Sequence, residues 1–164
     1  MEPTLVVKVC DVEDDGLHQT THNEKNILQN LDCTFINRFV YFYDDSILNK
    51  TFLVLEHAGH KKLSEFTTET RALSTPPQAL DENLVRSIMT QLFEATNYLH
   101  QNRVCHRDLR PDNILITQDS TSKHYMSIKV TLIGFNASVK QDDENSMIYG
   151  GEGLKEWSAP ETRL

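Results

Sequence analysis

His106-Arg107-Asp108-Leu109-Arg110-Pro111-Asp112-Asn113 is the stretch on which the reading of this 164-residue chain turns. It sets a carboxylate, Asp108, and a carboxamide, Asn113, five positions apart on one short loop. Two such groups at that spacing can serve a nucleophile and a metal ion at once. A polar turn is the competing reading of the octapeptide alone, and its flanks argue against that. Leu84, Ile88, Leu92, Ala95 and Leu99 recur every three or four residues just before it, which predicts an amphipathic helix. Ile114-Leu115-Ile116, just after it, reads as an apolar strand.

The octapeptide resembles the catalytic loop of eukaryotic protein kinases, H-R-D-L-x-x-x-N. The resemblance implies phosphoryl transfer from ATP. Asp108 would accept the proton of the substrate hydroxyl, and Asn113 would hold a magnesium ion. Arg110 stands where Ser/Thr kinases usually carry a lysine that meets the transferred phosphate. A guanidinium is a competent phosphate partner of different geometry. Pro111 keeps the loop nearer the Ser/Thr type.

Further motifs extend the resemblance over nearly the whole chain. Val6-Val7-Lys8 is similar to the V-A-I-K strand, whose lysine pairs the α and β phosphates of ATP. Asn23-Glu24-Lys25-Asn26-Ile27-Leu28 resembles the next helix of cyclic-nucleotide-dependent kinases, which makes Glu24 the partner of Lys8. A structural role competes for Glu24, because Thr21-His22-Asn23-Glu24 also fits a capping box. Leu53-Val54-Leu55-Glu56-His57-Ala58-Gly59 resembles the fifth strand and hinge. Leu55 would limit the back of the adenine pocket, and backbone at Glu56 and Ala58 would bond the base. Leu115 would form the floor and Val6 the roof, although both could be plain core residues. Leu28, Phe39, His106 and Phe135 match the stacked column that joins kinase lobes. Ala159-Pro160-Glu161 matches the A-P-E that closes the activation segment; Ser146, Tyr149 and Ser158 within it read as ordinary surface hydroxyls.

The pattern breaks at the D-F-G triplet. The sequence there is Lys129-Val130-Thr131-Leu132-Ile133-Gly134-Phe135-Asn136-Ala137-Ser138, without an aspartate. Gly134-Phe135-Asn136 replaces the triplet in the preferred register, because Leu132-Ile133 and Ala137-Ser138 then match as well; Leu132-Ile133-Gly134 does so in the other. Either way the carboxylate that binds magnesium is gone, which argues against magnesium as a cofactor. Its loss removes several kcal/mol of transition-state stabilisation, a slowing of roughly a thousandfold or more. Asn136 offers only a neutral oxygen, and only if the loop shifts. No G-x-G-x-x-G precedes Lys8, and the sequence stops three residues after Glu161. An apolar face of the long helix should therefore be exposed.

The expected fold is α+β, a kinase-like bilobal fold that is incomplete, lacking the glycine-rich hairpin and the C-terminal helices. Residues 1–58 would form a partial N-lobe and 59–164 a partial C-lobe. The expected function is that of a catalytically impaired pseudokinase or kinase fragment, with weak or no ATP binding and a binding or regulatory role. The alternatives are an active Ser/Thr kinase and an incomplete gene product. ATP or another nucleotide, and a protein partner or substrate, are the implied ligands.

Composition narrows the classes. A net charge of −8 and a pI near 5.3 leave no basic stripe for nucleic acid. Cys10, Cys33 and Cys105 form no C-x-x-C pair and fit a reducing compartment, with buried apolar roles. The N-terminus shows no signal-peptide pattern and no apolar run has the length of a membrane span, so a cytoplasmic or nuclear location is expected and no membrane partner. Thr4 to Val12 reads as a strand ended by the turn Glu13-Asp14-Asp15-Gly16, followed by a helix capped by Thr20 or Thr21 with Ile27, Leu28 and Leu31 on its apolar stripe. Phe39 to Tyr43 and Phe52 to Leu55 read as strands. Arg71 to Ala79 reads as a loop, and Gln118 to Lys123 as a polar excursion.

Overall fold

A computed structural model describes residues 4–59, 61–72, 79–118, 128–141 and 156–157. Ser146, Tyr149, the Gly150-Gly151-Glu152-Gly153 stretch and Ser158 to Glu161 lie outside the described residues, as does most of the 118–123 excursion.

Strand β1 (Leu5–Asp11) is Val-rich and pairs antiparallel with β3 (Lys50–Glu56), which pairs in turn with β2 (Phe39–Asp45). The β2–β3 turn forms because Asp45 Oδ1 accepts the N–H groups of Ile47 and Leu48. Alternation on β3 is strict: Thr51, Leu53 and Leu55 are buried while their neighbours are half-buried. β1 is an edge strand, with Leu5, Val6, Val7 and Val9 exposed.

Helix α1 (Asp15–Leu28) begins earlier than the threonine cap predicts. Asp14, read as a turn residue, is the N-cap and accepts from Leu17 N at 3.0 Å. Thr20 and Thr21 lie inside the helix and donate their hydroxyls back to Leu17 O. The capping-box reading of Glu24 fails for the same reason, since Glu24 lies in mid-helix.

A short helix, α2 (Leu63–Ala72), follows the two-residue strand β4 (Lys61–Lys62) and includes Arg71, which was expected to open a loop. The long helix α3 (Glu82–Gln101) is capped by Asp81, which accepts from Asn83 N and Leu84 N. It buries Leu84, Ile88, Ala95 and Leu99, and Leu92 packs half-buried beside them. Its other side exposes Val85, Met89 and Phe93, one helical turn apart.

The strand β5 (Val104–Cys105) leads into the catalytic-loop stretch, and β6 (Ile114–Gln118) leads out of it. β6 lies between β4 and β7 (Ile128–Leu132), and β5 pairs with β8 (Val139–Lys140). Gln91 of α3 brackets β7, donating to Ile128 O and accepting from Val130 N, each at 2.9 Å. The end of β7 is stitched to the segment leading into β2 at Leu132, whose N–H donates to Phe35 O and whose carbonyl accepts Asn37 N. One hydrophobic core runs from Ile27, Leu28 and Leu53 through Leu132 and Phe135 to Leu84, Ile88 and Leu99. Cys10 is buried, whereas Cys33 and Cys105 are half-buried; all three are free. No helix among the described residues is long and apolar enough to cross a membrane.

Candidate active site

Lys8 and Glu24 are 16 residues apart in sequence and meet at 2.8 Å (Nζ to Oε2). The glutamate side chain is 4 % exposed and the lysine 31 %. Glu24 Oε1 accepts the N–H of Phe135 at 3.2 Å, so one carboxylate joins β1 to the segment after β7. Asn23 strengthens that junction by donating to Ser138 O at 2.7 Å and Asn136 O at 3.3 Å. Its adjacency to Glu24 was the one sequence signal for that role.

The His106–Asn113 loop is held by its own side chains. His106 Nε2 donates to Ile133 O at 3.0 Å, which leaves Nδ1 to accept Asp108 N at 3.2 Å. This neutral tautomer agrees with the burial of the ring, which pushes its pKa below the ordinary 6.5 against the opposing effects of the Ile133 bond and of Asp108 and Glu24. The ring stacks edge-on against Phe135 at 4.7 Å between centroids, and Leu28 and Phe135 are fully buried, with Phe39 packed against the same core. Arg107 takes a left-handed φ of 68°, which swings the chain into the following turn.

Asn113 Nδ2 donates to Asp108 O at 2.9 Å and to Asp108 Oδ2 at 2.6 Å. Arg110 Nε approaches the same Oδ2 at 3.3 Å, while its Nη1 reaches Asp112 Oδ2 at 3.3 Å. The structure thus gathers Asp108, Arg110 and Asn113 into one cluster. Asp108 Oδ1 is buried with no hydrogen-bond partner among the described residues.

Gly134 follows β7 with a left-handed φ of 80°. A Cβ there would lie 2.6 Å from Asn113 Oδ1. Asn113 is anchored to Gly134's neighbour as well, because its carbonyl accepts Ile133 N at 2.9 Å.

The family model of the protein kinase domain matches residues 2–162. The chain belongs to the protein kinase family. It is 32 % identical to the serine/threonine-protein kinase SSN3 of Candida glabrata over 110 residues, 66 % of this chain and 18 % of that protein. It is 31 % identical to the serine/threonine-protein kinase PAK 1 of Mus musculus over 123 residues, 73 % of this chain and 19 % of that one. Against the phosphorylase b kinase gamma catalytic chain, liver/testis isoform, of Rattus norvegicus the identity is 34 % over 110 residues, 67 % of this chain and 23 % of the other. The matched region is under a quarter of each relative's length.

The remaining residues to which the resemblance pointed lie on strands or, for Ala58, just after β3. Val6 is exposed on β1, directly across from buried Leu55 on β3, and Lys8 is across from Leu53. Glu56 ends β3, with its N–H given to Arg38 O at 2.9 Å. Ala58 O accepts the Thr117 hydroxyl at 3.1 Å, and Leu115 is half-buried on β6. A cavity of about 340 Å³ beside this strand end is lined by Cys33, Asn37, Glu56, Ala58 and Thr131 among others. It includes none of Val6, Lys8, Asp108 or Leu115.

Magnesium in kinase sites needs hard oxygens, usually one or two carboxylates beside substrate phosphates. Gly134 has no side chain to offer. Asp108 Oδ2 is already taken by Asn113 and Arg110, and Asn113 contributes a single neutral oxygen. Asp108 Oδ1 is the carboxylate oxygen of this cluster without a partner among the described residues.

Proposed function

We propose that the chain is a catalytically impaired, pseudokinase-like module that acts through binding. The observation that carries this reading is Gly134. It stands immediately before the phenylalanine that bonds Glu24 and stacks on His106, and its Cβ position is crowded by Asn113 Oδ1. These contacts support the register in which Gly134-Phe135-Asn136 replaces D-F-G. The metal carboxylate is then replaced by a hydrogen atom.

Packing positions are kept while the metal chemistry is lost. The Lys8–Glu24 pair and the His106–Phe135 stack hold the closed arrangement of the two lobes, taken to meet near residues 58 and 59. If a nucleotide binds, Lys8 meets its phosphates, Val6 and Leu115 sandwich the base, Leu55 limits the pocket, and backbone at Glu56 and Ala58 faces the base edge. ATP would be held weakly and without magnesium, and a protein would be the partner. An active Ser/Thr kinase is the second reading, favoured by Asp108 Oδ1, which has no partner among the described residues and would act as base with Arg110 on the transferred phosphate.

Incorporation of labelled phosphate from ATP into a generic protein substrate tests the choice. The proposal predicts no incorporation above that of the Asp108→Ala variant, from a chain that melts cooperatively. Incorporation that Asp108→Ala abolishes would establish the active kinase instead. A chain without any cooperative transition would have no independent function.

A further inference from the structure

We propose that His18, His22 and Asp44 form a binding site for a divalent transition-metal ion of the zinc class, which fastens α1 to β2. His18 and His22 stand four residues apart on α1 and so share one face of the helix. Their Nε2 atoms are 3.0 Å apart. Asp44, on β2, brings Oδ2 to 3.5 Å from His22 Nε2, and the three ligand atoms all lie within 4.8 Å of one another. A tetrahedral ion bonded at about 2.0–2.1 Å sets its ligands about 3.3 Å apart. Two of the three edges already have that size, and the half-exposed Asp44 side chain can close the third.

The surroundings aim these atoms. Thr51 is fully buried, and its hydroxyl donates to Asp44 Oδ1 at 2.6 Å, which leaves Oδ2 free to turn toward the histidines. Outer contacts of this kind orient metal-binding carboxylates. The His22 ring is fixed between His18 and Phe42, with edge-on contacts at 4.4 and 4.8 Å. The neighbouring cation, Lys25, lies over the Phe42 ring at 5.5 Å and bonds Asn26 Oδ1. A hydrogen bond between two imidazoles would account for the 3.0 Å contact by itself. It does not account for a carboxylate on another element, turned by a buried hydroxyl onto the same point. Two imidazoles and one carboxylate suit zinc rather than magnesium or calcium.

The consequence concerns Glu24, two residues beyond His22. An ion joining α1 to β2 steadies the helix that carries the Lys8 partner, whether or not the site is catalytic.

Titration of the whole chain with Zn2+ by calorimetry, and with Co2+ by visible absorption, tests the site. The expected result is one ion per chain, the intense bands of tetrahedral cobalt, and a melting midpoint raised by zinc. Thr51→Val should weaken binding by about 10–100-fold, as outer-contact changes do. Asp44→Asn and His22→Ala should weaken it further and abolish the cobalt bands. Asp44→Asn keeps the shape of an exposed side chain, so it decides the matter even if His22→Ala fails to fold. Zinc affinity unchanged in Asp44→Asn, or no saturable binding in the wild type, would overturn the proposal.

Discussion

Asn113 Oδ1 lies 2.6 Å from the point where a Cβ on Gly134 would stand, and Gly134 holds a φ of 80°. The carboxamide therefore takes the volume that a side chain at 134 would need. Gly134→Ala should cost about 1–2 kcal/mol from the left-handed backbone alone, with a further cost for moving Asn113. Gly134→Asp should cost less of the backbone part, since aspartate visits that region more readily. Urea unfolding of the two variants checks the order, and a neutral Gly134→Ala would contradict it.

Removing the ammonium from the Lys8–Glu24 pair leaves a carboxylate that is 4 % exposed without its counter-charge. Breaking such a pair costs about 3–5 kcal/mol when both partners are buried. Lys8 is partly solvated, so Lys8→Met is expected to cost about 2 kcal/mol. Glu24→Gln should cost less, because its amide oxygen can still accept the Phe135 N–H. Equal costs for the two variants would show that the uncompensated charge is not the source.

Asn113→Ala takes two bonds from Asp108, whose Oδ1 already lacks a partner among the described residues. The expected loss is about 1–3 kcal/mol, the desolvation cost of polar atoms left unpaired in a buried site. Chemical denaturation measures it. A loss below about 0.5 kcal/mol, the range of ordinary surface changes, would mean that water replaces the amide.

His106 is held neutral, with burial lowering its pKa below 6.5. Between that lowered value and 6.5 the unfolded chain binds a proton that the folded chain does not. Its contribution to stability is therefore complete above 6.5, falls as the pH drops below 6.5, and levels off once the lowered value is passed. The slope approaches at most about 1.4 kcal/mol per pH unit for one proton. The stability difference between wild type and His106→Phe should shrink over that window. A difference independent of pH would contradict the neutral, Nε2-donating imidazole.

The loop around Asp108 could be read from sequence because its residues are contiguous and their spacing is tied to one chemistry. Lys8 and Glu24 could be read because the short runs around them, Val6-Val7-Lys8 and Asn23 to Leu28, resemble the lysine strand and following helix of kinases. The start of α1 could not. An acidic run such as Glu13-Asp14-Asp15 serves equally as a turn and as a helix N-terminus, and only the local bond from Leu17 N to Asp14 Oδ1 marks the cap. α2 escaped notice because only Leu63 and Phe66 pack against the core, half-buried, a stripe too short to mark a helix. Several of its threonines satisfy their hydroxyls on carbonyls one turn back, a local choice with no pattern in the sequence. The cluster of His18, His22 and Asp44 is invisible in one dimension, since Asp44 reads as part of a turn and reaches the histidines only through β2.

In the proposed register, Gly134 supplies no magnesium ligand where kinases carry an aspartate. Thermal melting with ATP alone and with ATP plus magnesium measures this directly, because a ligand that binds only the folded chain raises the midpoint. Magnesium should add nothing to whatever shift ATP produces. A further rise that requires magnesium and ATP together would contradict it.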